Sequence, residues 1–126
     1  MAIKLGLIGI AVKDMAVSLR FYRELGLSIP DGQDAEGHVD VEAGGIRLAW
    51  DTVDVLKQVY QEWTDQPSGH RLELAFGCDS GAEVDATYAR LVERGYQGHR
   101  APWDAFWGQH YAIVEDPDGN LISLYA

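Results

Sequence analysis

Large aromatic side chains are concentrated in one short segment, residues 101–108, with the sequence APWDAFWG. This segment carries Trp103, Phe106 and Trp107. Three such side chains are costly to leave in water, so a protein surface or a ligand is expected to cover them. One interpretation is a stacking wall for an aromatic or conjugated ligand. The other is that the rings cover the core or a dimer interface.

Glu73 is a carboxylate with the potential for acid–base or binding chemistry. It lies in residues 71–78, where alternating residue types predict a strand with Glu73 and Ala75 on one face. The apolar residues of the opposite face are Leu72, Leu74 and Phe76. A carboxylate on an inward-facing surface must be paired, hydrogen-bonded or neutral. Glu73 is therefore interpreted either as the partner of Arg47, Arg71 or a ligand cation, or as a general base.

Histidines supply further titratable side chains. His110 follows the aromatic segment and is interpreted either as a hydrogen-bond donor or acid–base group for a ligand, or as a satisfied strand histidine. His38, Asp40 and Glu42 alternate along another predicted strand and so share one face. That face is either solvated or an acidic rim that attracts a cation.

The first half of the chain contains the strands and helices expected to position some of these residues. Apolar residues at helical spacing follow Asp14, a typical N-cap, and stop at Gly26, a typical C-cap. Alternating apolar residues and turn signals predict the strands. The predicted elements are a strand at 3–12, a helix at 14–26, strands at 27–29, 38–42 and 46–50, an amphipathic helix at 52–63 and a linker at 64–69.

The second half repeats this order. Ser80 and Glu83 have the spacing of a capping box, which predicts the start of a helix that Gly95 ends. The residues Asp116-Pro-Asp-Gly119 predict a tight turn. The predicted elements are strands at 71–78, 97–100, 107–114 and 120–125 around that helix.

The two halves can be overlaid, because their apolar positions and glycines follow the same pattern; Leu19, for example, falls on Tyr88. An internal repeat of a whole supersecondary unit is a stronger signal than any single element. The sequence therefore predicts an α+β fold of two βαβββ modules, at about 1–51 and 70–126. Together they form one predicted domain over residues 1–126.

Composition limits the classes of function. The chain has 126 residues and a formal charge of −10, which disfavours a nucleic-acid partner. It has no apolar run of the roughly 18 residues needed to cross a bilayer, so no membrane association is expected. The single cysteine, Cys78, fits a reducing compartment, and with no signal peptide evident the predicted location is the cytoplasm.

Two motifs resemble those of a known superfamily. They are Val12-Lys-Asp14 leading to Ser18-Leu-Arg-Phe-Tyr-Arg-Glu-Leu-Gly26, and Glu115-Asp-Pro-Asp-Gly119. In this order and spacing they resemble the vicinal oxygen chelate superfamily, which includes glyoxalases, bleomycin-resistance proteins and extradiol dioxygenases. The resemblance implies a cup-shaped sheet with the helices outside, a ligand cleft inside and a homodimer. In the enzymes of this superfamily it also implies one divalent metal in the cleft.

By analogy with glyoxalases, the metal positions fall on Leu7, Ala49, Glu73 and Ser123. Only Glu73 is a strong metal ligand, whereas a divalent ion normally requires three or four donors. We therefore expect no metal and no other cofactor. A floor of such small or apolar side chains leaves room for a flat or bulky ligand.

The spacing from Trp107-Gly108 to the Asp-Pro-Asp-Gly turn resembles that of bleomycin-binding proteins, in which the equivalent Trp lies in the drug-binding region. This resemblance favours metal-independent sequestration of a hydrophobic, aromatic or cationic small molecule, such as an antibiotic. The expected ligand-binding residues are Leu7, Ala49, Glu73, Trp103, Phe106, Trp107, Gly108, His110 and Ser123. The alternative is a metal-independent isomerase, lyase or oxygenase with Glu73 or His110 as acid or base. A third interpretation is a dimer module that binds no ligand.

Overall fold

The computed structural model of the chain describes residues 5–59 and 73–126. The chain divides into two compact units, Met1–Pro67 (unit 1) and Ser68–Ala126 (unit 2). The elements of unit 1 are β1 (Ile8–Val12), α1 (Met15–Leu25), β2 (His38–Ala43), β3 (Ile46–Thr52) and α2 (Val53–Val59). Those of unit 2 are β4 (Leu74–Gly77), α3 (Gly81–Glu93), β5 (Gly98–Asp104), β6 (His110–Glu115) and β7 (Leu121–Tyr125). The single domain over both units stays a prediction.

Unit 1 contains a three-stranded sheet with β3 at its centre, parallel to β1 and antiparallel to β2. Helix α1 packs on one face of this sheet. Trp50 of β3 is fully buried there, with its ring centroid 5.2 Å from that of Tyr22 on α1. Ile10 and Val12 of β1 are buried as well, as their alternation along the strand predicts.

Local hydrogen bonds fix the ends of α1 where the sequence predicts them. The Asp14 side chain accepts a hydrogen bond from the backbone N–H of Val17 at 3.1 Å, which satisfies one donor of the first turn. At the other end Gly26 has φ = 127°, a conformation that a side chain would strain.

The predicted strand at residues 27–29 is wrong, because these residues are in no strand. Their backbone is satisfied in another way: the Arg23 guanidinium donates to the carbonyl oxygens of Ile29, at 3.2 Å, and of Pro30, at 2.7 Å. Pro30 also lacks an N–H to offer a neighbouring strand. Unit 1 therefore contributes βαββ before α2, one strand fewer than predicted.

Unit 2 has the complete βαβββ order, with a four-stranded sheet arranged β4-β7-β6-β5. Helix α3 begins at Ser80, whose hydroxyl accepts from the backbone N–H of Glu83 at 3.2 Å, as the capping box predicts. One face of the sheet packs against α3. The buried residues that meet there are Val84, Leu91, Ala112, Val114, Ile122 and Leu124.

Several boundaries differ from those predicted. Strand β6 begins at His110, so Trp107 lies in the turn before it instead of in the strand. Strand β5 runs on to Asp104, four residues beyond the predicted end. The C-terminal part of the helix predicted at 52–63, with Trp63, the linker at 64–69 and residues 71–72 lie outside the described residues. None of the helices in the described part of the chain is long and apolar enough to cross a bilayer.

Candidate functional site

The candidate site lies on the face of the unit 2 sheet that points away from α3, called the pocket face. Strand pairing arranges its side chains in rows across the four strands. The first row is Ala75, Ser123, Ile113 and Arg100, and the second is Gly77, Tyr125, Tyr111 and Trp103. The β4 ends of both rows are small, while the β5 ends carry long or aromatic side chains. The pocket face therefore has a low side at β4, where the side chains are small, and a wall at β5, where they are long or aromatic.

A β-bulge in β5 places two of these side chains on the same face. Arg100 pairs with Ile113 and Trp103 with Tyr111, so three steps along β5 match two steps along β6. Regular alternation would turn residues three apart to opposite faces, whereas one extra residue in the strand restores the same face. The bulge contains Pro102, a residue that fits an edge strand such as β5.

The pocket face holds a cavity of about 460 Å³, within the usual size range of small-molecule sites. All the described residues that line it belong to unit 2. They are Glu73, Arg100, Trp103, Trp107, Gln109, Tyr111, Ile113 and Ser123. The lining therefore combines an aromatic wall with a few polar groups, which is typical of a site that orients a ligand.

Three of the lining rings contact one another and are called the aromatic triad: Trp103, Trp107 and Tyr111. Their centroids are 5.3 Å apart for Trp103 and Tyr111, 5.2 Å for Trp107 and Tyr111, and 6.3 Å for the two tryptophans. All three contacts are edge-to-face, a favourable geometry that holds each ring at a defined angle. Trp107 is also held by its Nε1–H, which donates to Oε1 of Gln109 at 2.8 Å. Its side chain is nevertheless 49% exposed, so ring surface remains for a ligand.

Arg100 brings a cation to the aromatic triad. Its guanidinium carbon lies 3.6 Å from the ring centroid of Trp103, a close cation–π contact. Glu73 lines the same cavity from the residue that precedes β4, at the opposite edge of the sheet. The cavity thus has a positive group at its aromatic side and a carboxylate at its low side.

The structure brings four of the residues expected in the binding site into this cavity: Glu73, Trp103, Trp107 and Ser123. Gly108 lies next to Trp107 in the turn, where its φ of 99° suits glycine. Phe106 contacts the Trp107 ring at 5.0 Å but is 98% exposed and is not among the lining residues.

His110 lies on the other face of the sheet, towards α3, and does not line the cavity. Its Nε2 is 2.6 Å from a carboxylate oxygen of Asp85, and its Nδ1 is 2.8 Å from one of Asp104. These two carboxylates raise the pKa of His110 above its ordinary value of 6.5, and the hydrogen bond to Asp85 has the larger effect. His110 therefore links α3 to the end of β5, and the link carries a positive charge when the ring is protonated.

Leu7 and Ala49 belong to unit 1 and are not among the described lining residues of this cavity. Leu7 precedes β1 and is 43% exposed, whereas Ala49 is fully buried in β3. Neither side chain carries a polar atom.

The polar face predicted around His38 is a network of paired charges in unit 1. His38 lies between the carboxylates of Asp51 and Asp40, and Arg47 pairs with Asp40. The carboxylates of Asp51 and Asp40 accept hydrogen bonds from the His38 ring and raise the pKa of His38, while hydrogen bonds donated by His38 and Arg47 lower the pKa of Asp40. Arg47 is thus paired with Asp40 within unit 1.

Sequence reasoning missed four lining residues: Arg100, Gln109, Tyr111 and Ile113. Three of them share the odd-numbered alternation of Trp107, which also puts His110 on the opposite face. This alternation can be read from the sequence of the predicted strand at 107–114. The position of Arg100 depends on the bulge, for which Pro102 was the one local sign.

A family model of the Glyoxalase/Bleomycin resistance protein/Dioxygenase superfamily matches residues 4–124. The chain belongs to this superfamily. The family resemblance carried by the two motifs and the predicted α+β fold class are thereby confirmed. A comparison with curated proteins found no match.

Several solved structures share the fold over nearly the whole chain. A glyoxalase/bleomycin resistance protein/dioxygenase family enzyme from Burkholderia phytofirmans PsJN has a TM-score of 0.85 at 17% identity, with 98% of each chain covered. A glyoxalase-related enzyme from Fulvimarina pelagi has a TM-score of 0.81 at 26% identity, covering 97% of this chain and 86% of that one. A protein of unknown function from Agrobacterium tumefaciens has a TM-score of 0.78 at 25% identity, covering 99% and 94%.

The residues present do not fit the divalent metal that the superfamily resemblance implies. Of its four metal positions, Glu73 offers a carboxylate and Ser123 a neutral hydroxyl, while Leu7 and Ala49 offer only hydrocarbon. A divalent ion is normally held by three or more charged or strongly donating ligands. In residues 5–59 and 73–126, no three His, Cys, Asp or Glu side chains converge in a way that would hold a metal ion.

Proposed function

We propose that this superfamily member binds and sequesters a planar aromatic small molecule in the unit 2 cavity, without a metal. The observation that carries the proposal is the aromatic triad of Trp103, Trp107 and Tyr111 on one wall of a cavity of about 460 Å³. A flat ring placed against this wall would replace water on half-exposed aromatic surface. The low floor at Ser123 and Ala75 leaves room beside the wall for the rest of such a ligand.

The expected affinity follows from the surface that such a ligand would bury. About 200 Å² of apolar surface contributes about 5 kcal/mol at roughly 25 cal/mol per Å². Each well-placed aromatic contact adds about 0.5–1.5 kcal/mol. Three such contacts bring the total to about 6.5–9.5 kcal/mol, and a cost of at least about 4 kcal/mol for immobilising the ligand leaves a dissociation constant in the high-micromolar to millimolar range.

The test is a titration of the full chain with a panel of planar aromatic antibiotics and natural products, followed by intrinsic tryptophan fluorescence and calorimetry. We expect at least one compound to quench the fluorescence and bind, and Trp107→Ala to weaken that binding tenfold or more. Phe106→Ala is the matched control, because it removes a neighbouring exposed ring outside the lining. It should change the affinity less than twofold.

Two results would contradict the proposal. Equal losses in Trp107→Ala and Phe106→Ala would show that the cavity is not the binding site. Absence of quenching by every compound would favour a module whose aromatic rings cover protein surface only.

The enzymatic alternative has one supporting observation, the Glu73 carboxylate among the lining residues. It could move a proton on an aromatic substrate as an isomerase or lyase does. Mass spectrometry of the recovered ligand separates the two functions. Sequestration returns the ligand unchanged, whereas a modified product that disappears in Glu73→Gln would establish the enzyme.

Drug resistance and the homodimer belong to this proposal too. If the ligand is an antibiotic, expression of the protein should raise resistance while the drug stays chemically intact. The homodimer is supported only by the superfamily resemblance.

A further inference from the structure

Arg100 gives the proposed ligand a more specific chemistry. We propose that the ligand is an aromatic acid, a planar ring system that carries a carboxylate on its edge. The ring lies against the aromatic triad and the carboxylate pairs with the Arg100 guanidinium. This inference rests on the proposed function, because it describes what else the same cavity recognises.

The Arg100 guanidinium is held in a position that leaves its donors available. The guanidinium carbon lies 3.6 Å from the Trp103 ring centroid, the separation expected when the flat face of the cation stacks on the ring. The N–H groups lie around the edge of that plane, where a carboxylate can accept two of them side by side. Stacking thus fixes the orientation of the guanidinium without consuming its hydrogen bonds.

The guanidinium also lacks an acidic partner in the described part of the chain, although acidic residues outnumber basic ones twenty to ten. Arg23 pairs with Asp34 at 3.1 Å and Arg47 pairs with Asp40, whereas the exposed Arg20 on α1 has no carboxylate partner among the described residues. No described carboxylate forms such a pair with Arg100. Arg100 is exposed and lines the cavity, so its charge is available to an anionic group of the ligand.

Sheet geometry favours an acid over an aromatic cation. Arg100 is on β5 and Glu73 adjoins β4, the two outer strands of the sheet. With neighbouring strands about 4.8 Å apart, these strands lie about 14 Å from each other. A ring stacked on the triad therefore has its edge substituents near Arg100 and far from Glu73. A cationic substituent at that point would be repelled by the guanidinium.

The experiment uses three probes with the same ring: 2-naphthoate, 2-naphthamide and 2-naphthylmethylammonium. Their affinities for the full chain are measured by calorimetry at neutral pH and moderate salt. We expect 2-naphthoate to bind at least tenfold more tightly than 2-naphthamide, and the ammonium probe most weakly. In Arg100→Gln the affinities of 2-naphthoate and 2-naphthamide should come within about twofold of each other.

Two further variants test whether the preference for the acid depends on the Arg100 guanidinium itself or only on the charge of the protein. Arg94→Gln removes the same charge from the C-cap of α3, outside the lining, and should leave the preference for the acid unchanged. Arg100→Lys keeps the charge but loses the paired donors, so the preference should fall to an intermediate value. Circular dichroism and thermal melting confirm that each variant is folded.

The proposal is overturned if 2-naphthamide binds as tightly as 2-naphthoate, or if Arg100→Gln keeps the preference for the acid. In both cases the proposed function, binding of a planar aromatic molecule in the cavity, would remain supported. A preference for the ammonium probe also overturns it and would assign recognition to Glu73. If none of the three binds, the acid proposal fails, and the wider panel described above decides separately whether the cavity binds other aromatics.

Discussion

At the level of single residues, His38 and His110 share one arrangement, an imidazole held between two carboxylates. Both ring nitrogens of His110 face acceptors, so both act as donors when the ring is protonated and charged. Asp85 comes from α3 and Asp104 from the last residue of β5. The charged ring thus joins the helix to the strand that carries Trp103.

We expect this link to make stability depend on pH. Because the pKa of His110 is raised above its ordinary value of 6.5, the folded state binds the proton more tightly than the unfolded chain. The stabilisation is complete below pH 6.5 and is lost as pH rises through the raised pKa. The melting temperature of the wild type should therefore exceed that of His110→Gln at pH 6, with a gap that narrows towards pH 9.

His99→Gln is the matched control for this measurement. His99 is in the same unit and has one carboxylate contact, 3.8 Å from Glu115, instead of two short ones. At pH 6 the difference in melting temperature between His99→Gln and the wild type should be smaller than the difference for His110→Gln. A His110→Gln gap that stays constant between pH 6 and pH 9 would show that the ion pairs contribute nothing.

At the level of elements, the turn between β6 and β7 sets the register of the cavity floor. Oδ1 of Asp116 accepts from the backbone N–H groups of Asp118, at 2.9 Å, and Asn120, at 2.8 Å. Its Oδ2 accepts from the Asn120 side chain at 2.8 Å. This closed turn makes Ile113 pair with Ser123, and so it positions two lining residues.

Asp116→Ala should lower the free energy of unfolding by about 2–4 kcal/mol, because three donors lose their acceptor where Asp116 is only 4% exposed. Asp116→Asn keeps one acceptor oxygen and should lose about half as much. Urea denaturation of the full chain measures both. Equal stability of Asp116→Ala and the wild type would mean that water replaces the side chain at no cost.

Strand boundaries and faces show where the sequence was informative and where it was not. The caps at Asp14, Gly26 and Ser80 were predicted correctly because each depends on hydrogen bonds or dihedral angles within a few residues. The strand at 27–29 was wrong because a strand also needs a partner, and Arg23 takes that role. His110 was expected near the ligand, but the alternation along β6 turns it towards α3.

At the level of the whole molecule, the four metal positions that the superfamily resemblance implies carry one carboxylate, one hydroxyl and two hydrocarbon side chains, fewer donors than a divalent ion normally requires. The ligand would then be bound by stacking and by one guanidinium. We expect protein treated with a chelator and then supplemented with zinc, nickel or manganese to retain well under one metal ion per chain after dialysis. Its affinity for the aromatic ligand should be unchanged.

Metal analysis together with native mass spectrometry checks this expectation and reports the oligomeric state. Stoichiometric metal that survives dialysis would contradict it, as would ligand binding that is lost on chelation and restored by one ion. The Glu73→Gln variant adds a control, because Glu73 is the strongest metal donor among the four implied positions.

The sequence by itself determined the superfamily, the fold class, most of the strands and helices, and the aromatic segment that supplies two rings of the triad. These depend on residue types, local capping and periodic patterns, which can be followed along the chain. Only the tertiary structure decided that Arg100 and Tyr111 join those rings and that Phe106 and His110 do not line the cavity. The reason is physical: the face on which a strand residue lies depends on register, and a single bulge between Arg100 and Trp103 changes it.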